Sequence, residues 1–324
     1  MQQFKVCVVG AGYWGKNHIS TLDQIGVLGG IVDTSEKQLN FFSQKLPKVK
    51  CYKNVEDALQ NSEFSGFTLA TPAETHYELA KSIIISKKNL LIEKPFVSTI
   101  KEAENLISLS NKHSTKLMAG HLLLFHPAIQ KIKQLINDGL IGNINYIYSN
   151  RLNFGKVRNF ENAFESLGPH DISIFQYLLG LPPRSIVAHG GKFLKKDIHD
   201  TAIVNFTYPE NIKGHIFASW LHPFKEHRLV IVGSNGMIVF EDAMEGKPLK
   251  LYDKRFELKN GFHIGLGSEF RLIDYPDKKP LYEELKYFVN CLNGQNVDIS
   301  NGAHALEVTK ILTDVKKQLQ NEAL

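Results

Sequence analysis

Three glycines and one acid carry the most explicit chemistry in this sequence. Gly10-Ala11-Gly12-Tyr13-Trp14-Gly15 follows the apolar run Val6-Cys7-Val8-Val9 and opens a stretch with helical spacing. In a strand–turn–helix of this kind the first glycine permits the tight turn, and the second lets backbone approach a pyrophosphate. The third allows close helix–sheet packing, while the helix N-terminus offers unpaired N–H donors to the phosphates. Asp33 ends the next apolar run 23 residues after Gly10, where a carboxylate can accept hydrogen bonds from an adenosine ribose. A dinucleotide is the ligand this points to. A 2′-phosphate at Asp33 would meet a like charge, at a cost of several kcal/mol. Thr34 and Ser35 follow without an arginine, and Lys37 is the nearest cation, so NAD is expected rather than NADP, with Asp33 and Thr34 at its ribose. Tyr13 and Trp14 sit where the loop meets the cofactor, either covering the pyrophosphate or packing on neighbouring loops.

Such a loop needs a parallel sheet to hold it. Residues 4–9, 29–32, 67–70 and 90–92 read as strands, and 12–25 and 76–86 as helices. That βαβ rhythm predicts an α/β fold whose N-terminal domain, residues 1–120, is a doubly wound Rossmann sheet. Beyond residue 120 the character changes. An amphipathic helix is predicted over 127–138, then strands over 145–150, 184–189, 201–207, 214–219, 228–232 and 237–241. Ser234-Asn235-Gly236 reads as a hairpin, because Asn-Gly tolerates the positive φ of a type I′ turn. A helix over 164–179 stops at Gly180 before Pro182-Pro183, and two more occupy 281–292 and 303–319. Residues 121–324 therefore read as an α+β domain on an open, mostly antiparallel sheet, serving substrate binding and oligomerisation.

Composition excludes several classes. A length of 324 residues favours two domains, and 43% hydrophobic with 22% charged residues is globular rather than disordered or fibrous. No apolar stretch approaches the ~20 residues that span a bilayer, so no membrane partner is expected. The run at 6–9 is too short for a signal-peptide core, which leaves the cytoplasm as the expected compartment. Cys7, Cys51 and Cys291 show neither a CxxC pair nor zinc spacing, and no H-E-x-x-H occurs, so neither disulfides nor a metal is expected. The net charge of +5 is spread along the chain rather than gathered into a nucleic-acid patch, and suits an anionic small molecule better. Only six of the 38 basic residues are arginine.

Two further segments carry a family resemblance. Ala70-Thr71-Pro72-Ala73-Glu74-Thr75-His76, then a helix, then Glu93-Lys94-Pro95, resembles the A-T-P-x-x-x-H and E-K-P elements of the Gfo/Idh/MocA oxidoreductases. Gly120-His121 through Phe125-His126-Pro127 is similar to that family's interdomain G-x-x-x-R-[FY]-[ND]-P, with Leu124 in place of the basic residue and His126 in place of Asn or Asp. The resemblance implies NAD(P)-linked oxidation or reduction of sugars and cyclitols. It places Thr71, Pro72 and His76 at the nicotinamide ribose, and Glu93 and Lys94 beside the nicotinamide.

Oxidising a secondary alcohol requires loss of the hydroxyl proton while hydride leaves the same carbon for C4 of NAD. Lys94 precedes a proline, which restricts its backbone to extended conformations, and its ammonium can stabilise developing alkoxide charge. His170, in Gly168-Pro169-His170-Asp171, resembles the family's catalytic histidine, and imidazole titrates near about pH 6.5. Where the family pattern D-x-G-x-H has its acid, this chain has Ser166. His170 is assigned as base and Lys94 as its electrostatic partner, with the reverse assignment open. His121 is a further candidate for reaching substrate, whereas His199, His222 and His227 are expected to be solvated.

Two of the six arginines fall within Arg151-Leu152-Asn153-Phe154-Gly155-Lys156-Val157-Arg158. The guanidinium fork suits phosphate or carboxylate, which makes Arg151, Asn153 and Arg158 candidate substrate-binding residues, unless the loop's charge is incidental. This segment and residues 168–173 are similar to the UDP-N-acetylglucosamine 3-dehydrogenases, which make a 3-keto sugar for cell-surface polysaccharide or lipid A. Trp220 and Phe224 are left between stacking on a base or sugar and packing in the core. An inositol or free-aldose dehydrogenase and a non-catalytic NAD-binding regulator remain alternatives. The open sheet offers an apolar face of the kind another subunit covers, so a homodimer or homotetramer is expected.

Overall fold

A computed structural model describes residues 4–321. The chain forms two compact bodies. The first takes the chain up to Phe125 and Lys278–Thr309, and the second His126–Asp277 with the chain from Lys310 on. A division at residue 120 gives the whole tail to the second body; instead the segment from Lys278 folds back onto the first.

The first body is a six-stranded, all-parallel sheet in the order β3-β2-β1-β4-β5-β6. Its strands are β1 (Lys5–Val9), β2 (Leu28–Val32), β3 (Lys50–Tyr52), β4 (Phe64–Leu69), β5 (Asn89–Glu93) and β6 (Leu117–Gly120). The central strands are apolar on both faces because helices cover both. Cys7, Val9, Phe67, Leu69, Leu90 and Ile92 form one cluster with Ile83, Ile84, Ala103 and Leu106. Those helical residues come from α4 (His76–Ile85) and α5 (Ile100–His113). The opposite face is covered by α1 (Tyr13–Ile25) and α8 (Pro280–Leu292), and a Cβ on Gly66 would lie 2.9 Å from Leu292. Two short helices, α2 (Glu36–Lys45) and α3 (Val55–Leu59), complete the crossovers. The strand order reverses direction between β1 and β4, where such sheets bind ligands beyond the carboxyl ends of their strands.

The second body is built on an eight-stranded sheet in the order β16-β13-β12-β11-β7-β10-β9-β8. Its strands are β7 (Ile144–Phe154), β8 (Ser185–Gly191), β9 (Thr201–Thr207), β10 (Lys213–Ser219), β11 (Leu221–Gly233), β12 (Met237–Glu241), β13 (Leu249–Tyr252) and β16 (Arg271–Leu272). Only β7 and β10 run parallel; every other neighbour is antiparallel. A separate hairpin pairs β14 (Arg255–Lys259) with β15 (Phe262–Leu266). Helix α6 (Pro127–Asn137) precedes the sheet, and α7 (Ala163–Leu179) packs on β7, β9 and β10. The other face of the sheet carries exposed Tyr146, Val187 and Ile203, and a stack of Tyr146, Tyr148 and His215 rings. The last helix, α9 (Gly302–Asn321), begins in the first body and ends in the second.

The predicted strands and helices are present with small shifts of boundary. The turn at residues 234–236 is a correction. It does connect β11 to β12, but none of its residues has positive φ, so it is not type I′. Its shape comes from outside the hairpin: Ser234 and Asn235 donate their backbone N–H groups to the carbonyls of Asn143 and Ile141. Gly236 is needed for space, since a Cβ there would lie 2.8 Å from the Tyr252 carbonyl oxygen.

Candidate active site

In the first body the glycine loop separates its three glycines by role. Gly10 has φ +94°, and a Cβ on it would approach the Ala70 carbonyl oxygen to 2.7 Å. A Cβ on Gly15 would stand 1.8 Å from the Gly10 oxygen. Both are required by the protein's own packing. Gly12 is different: a Cβ there meets nothing within 4 Å. It is the N-cap of α1, makes no side-chain cap, and precedes a first turn with no acidic residue. The open space therefore lies in front of a 13-residue helix whose first N–H groups have no side-chain acceptor, which is what a pyrophosphate requires.

Asp33 braces this loop. Its Oδ2 accepts the Ala11 N–H at 2.6 Å and its Oδ1 the Ser35 N–H at 2.7 Å. A carboxylate has about four lone-pair directions, so two backbone bonds leave acceptors for a ribose. Thr34 is exposed beside it. Tyr13 is 84% exposed and meets Trp14 edge-on. These residues fit a bound NAD: Gly12 and the start of α1 would take the pyrophosphate, and Asp33 the adenosine ribose.

Thr71 and Pro72 leave the carboxyl end of β4 next to the loop, with the Thr71 methyl 3.0 Å from the Cβ position of Gly10. Thr75 ties this turn by donating its hydroxyl toward Thr71 Oγ1 and the Pro72 carbonyl. His76 is a correction to the expected ligand contact. It is 1% exposed, with Nδ1 2.9 Å from the Pro95 carbonyl and Nε2 3.0 Å from the Thr71 carbonyl. Both ring nitrogens face backbone, so His76 braces the turn after β4 against the turn after β5.

Glu93 ends β5 and Lys94 opens the turn after it, with the Lys94–Pro95 bond cis. Glu93 is buried, its Oε1 2.8 Å from His18 Nε2 and its Oε2 accepting the Lys94 N–H at 3.1 Å. His121, after β6, is buried with its ring 5.1 Å from that of His304. Burial first, then His304 and Lys94, hold its imidazole well below its usual range, so it is neutral at neutral pH. The buried imidazole thus adds no positive charge of its own to that of Lys94.

In the second body His170 lies in α7, one residue after Pro169, which lacks the N–H to continue the helical ladder. The helix starts with a capping box between Asn162 and Glu165. Ser166 stands one turn before His170 on the same face, so the position expected to hold an acid presents a hydroxyl. Arg151 is the clearest correction. Its Nε and Nη2 both donate to Asp171 of α7, the latter at 3.0 Å, and Ser149 Oγ donates to the same carboxylate at 2.6 Å. Burial works against the Arg151 charge, but Asp171 opposite it outweighs that and raises its pKa. A fork closed on a buried partner is not presented to a substrate anion.

Arg158 keeps a 40% exposed side chain, with Glu161 3.6 Å away. Asn153 Oδ1 is buried without a hydrogen-bond partner among the described residues. Trp220 is buried and donates Nε1–H to Asp200 at 2.7 Å, which settles it as core, whereas Phe224 is 59% exposed. His199 is buried rather than solvated. His126 takes the capping task of the Asn or Asp it replaces: its Nδ1 accepts the Ala128 N–H at 3.1 Å at the start of α6. Sequence reasoning missed Asp171 as the partner of Arg151 and His18 as the partner of Glu93. Neither pair has a local spacing that would reveal it.

Known proteins resemble this chain along most of its length. Residues 4–121 match the oxidoreductase family with an NAD-binding Rossmann fold, and residues 129–239 match the GFO/IDH/MocA C-terminal domain. The chain belongs to the Gfo/Idh/MocA oxidoreductase family. Myo-inositol 2-dehydrogenase of Thermotoga maritima is 24% identical over 91% of this chain and 90% of its own. UDP-N-acetylglucosamine 3-dehydrogenase of Acidithiobacillus ferrooxidans is 27% identical over 59% of each chain. The solved structure of that enzyme superposes with a TM-score of 0.86 at 22% identity, covering 98% of this chain and 97% of its own. This Gfo/Idh/MocA member is therefore an enzyme, an NAD-dependent sugar oxidoreductase, with the expected fold class and cofactor. No helix among the described residues is long and apolar enough to cross a membrane.

Proposed function

We propose that the protein oxidises one secondary alcohol of a nucleotide sugar to the ketone, at C3 of a UDP-N-acetyl-amino sugar such as UDP-N-acetylglucosamine, for cell-surface polysaccharide or lipid A. The observation that carries the oxidation is the place of Lys94, directly after β5 in the body that holds the open Gly12 cradle. Bound NAD supplies the hydride acceptor. Lys94 donates a hydrogen bond to the alcohol oxygen and stabilises charge as the proton leaves. His170 accepts that proton, and the reverse assignment is distinguished by the pH profiles of the two variants. Where the family pattern has its acid, Ser166 offers a hydroxyl, which can hydrogen-bond but carries no charge.

Support for the nucleotide comes from the second body. With Arg151 closed on Asp171, diphosphate recognition falls to Arg158 and Lys156 on the segment after β7. The Acidithiobacillus ferrooxidans relative acts on UDP-N-acetylglucosamine. A second reading, an inositol or free-aldose dehydrogenase, is favoured by the loss of one of the two arginines and by the near full-length likeness to the Thermotoga maritima enzyme. Following NADH formation from NAD with UDP-N-acetylglucosamine, free N-acetylglucosamine and myo-inositol decides between them. Turnover with the nucleotide sugar alone supports the proposal; turnover with inositol alone replaces it. The Tyr146, Val187 and Ile203 face supports a homodimer or homotetramer, which sedimentation tests.

A further inference from the structure

The layer between the sheet of the first body and helices α1 and α8 should be apolar, yet it buries three ionisable side chains: His18 from α1, Glu93 from the end of β5 and Glu284 from α8. His18 and Glu284 are each 0% exposed. Burying such groups is costly unless each is paired, so their arrangement indicates a specific task. The pairing is directional. His18 Nε2 lies 2.8 Å from Glu93 Oε1, an acceptor, so Nε2 carries the donated hydrogen. The second oxygen of Glu93 accepts the backbone N–H of Lys94 at 3.1 Å. One carboxylate thus joins the cofactor-side helix to the residue whose ammonium serves the reaction.

We propose that His18 is a positioning residue for Lys94, acting by locking Glu93 in the rotamer that holds the Lys94 backbone. This rests on the proposed role of Lys94 at the substrate alcohol. His18 lies three residues after Gly15 on α1, so the helix that meets the pyrophosphate also fixes the turn bearing the reactive lysine. Glu284 fits the same scheme. Both of its oxygens are buried without a hydrogen-bond partner among the described residues. Burial first, and Glu93 second, hold its carboxyl well above the usual range, so it faces Glu93 uncharged and does not push it off His18. Glu93 itself contacts protein through both oxygens, which makes it a support for Lys94 rather than a group free for the nicotinamide.

The test compares two amides that differ only in reach. Gln at position 18 can place its amide N–H where His18 Nε2 stands; Asn is too short. In H18N the amide of Lys94 exchanges with deuterium about tenfold faster than in the native protein, while the amides of Leu91 and Ile92 in β5 keep their rates. Its kcat falls about tenfold with KM and Kd for NAD changed less than about twofold, and H18Q restores both readouts. H18A, which admits water to Glu93, takes the place of H18N if that variant does not fold. Unchanged Lys94 exchange in H18N, or an equal acceleration of the whole strand, overturns the proposal. So does failure of H18Q to restore. Absence of sugar turnover in the native enzyme refutes the proposed function, and the exchange comparison, made without NAD or sugar, still decides the role of His18.

Discussion

Substituting the loop glycines one at a time separates folding from cofactor binding. In G15A the new methyl carbon would lie 1.8 Å from the Gly10 carbonyl oxygen, and backbone cannot yield as a flexible side chain does. Overpacking of that kind costs about 3 kcal/mol, which for a unit the size of the first body lowers Tm by roughly 6–12 °C. In G12A the methyl meets nothing within 4 Å, and φ at −73° is ordinary for alanine. Its only intrinsic cost is a poorer N-cap, about 0.5–1 kcal/mol, so Tm falls by no more than roughly 4 °C. That methyl stands where the pyrophosphate must approach backbone. Kd for NAD should rise at least about tenfold, which corresponds to ~1.4 kcal/mol. The assay pairs thermal unfolding of the apoprotein with NAD titration followed by Trp14 fluorescence. If G12A binds NAD as tightly as the native protein, or is destabilised as much as G15A, the assignment of Gly12 to the cofactor is wrong.

Further outcomes follow from the same geometry. R151A leaves the buried Asp171 carboxylate without its countercharge, so urea unfolding should show a loss of about 3–5 kcal/mol, and R151A/D171A together should lose less than the sum. R158A should raise KM for the nucleotide sugar about tenfold and leave KM for a free sugar unchanged; equal effects on both remove the diphosphate role. His304, whose imidazole burial pushes down to about 4, is neutral when folded, while the unfolded chain takes up the proton below about pH 6.5. Its contribution is therefore present above pH 6.5 and lost as pH falls toward 4, by up to about 3 kcal/mol, and H304F should flatten that limb of the stability curve. H126N should keep the α6 cap, whereas H126A should cost about 1 kcal/mol by thermal unfolding.

Local pattern made much of the architecture readable. Apolar runs separated by helical spacing gave the parallel order of the first body, because a buried strand must be apolar on both faces and a crossover must be amphipathic. The antiparallel character of the second body followed from strand spacing, yet the shape of the turn at residues 234–236 did not. Its N–H groups bond to residues 141 and 143, nearly a hundred positions upstream, and no local rule reaches that far. Strands β3, β13 and β16 escaped notice because two to four residues carry too little periodicity.

What the sequence determined alone is the chemistry confined to neighbouring residues. Gly10, Gly12 and Gly15 define a turn and a helix start within six positions, and Asp33 follows at a fixed distance in any such βαβ unit. Tertiary structure decided which charges are available. Arg151 and Arg158 look alike in sequence, but the fold buries the first against Asp171 of α7 and leaves the second 40% exposed beside Glu161. His18, Glu93 and Glu284 come from segments 75 and 191 residues apart, and only folding brings them into one layer. The reason is physical: a side chain's titration and hydrogen bonding depend on what surrounds it in space, and the spacing of residues along the chain does not encode that.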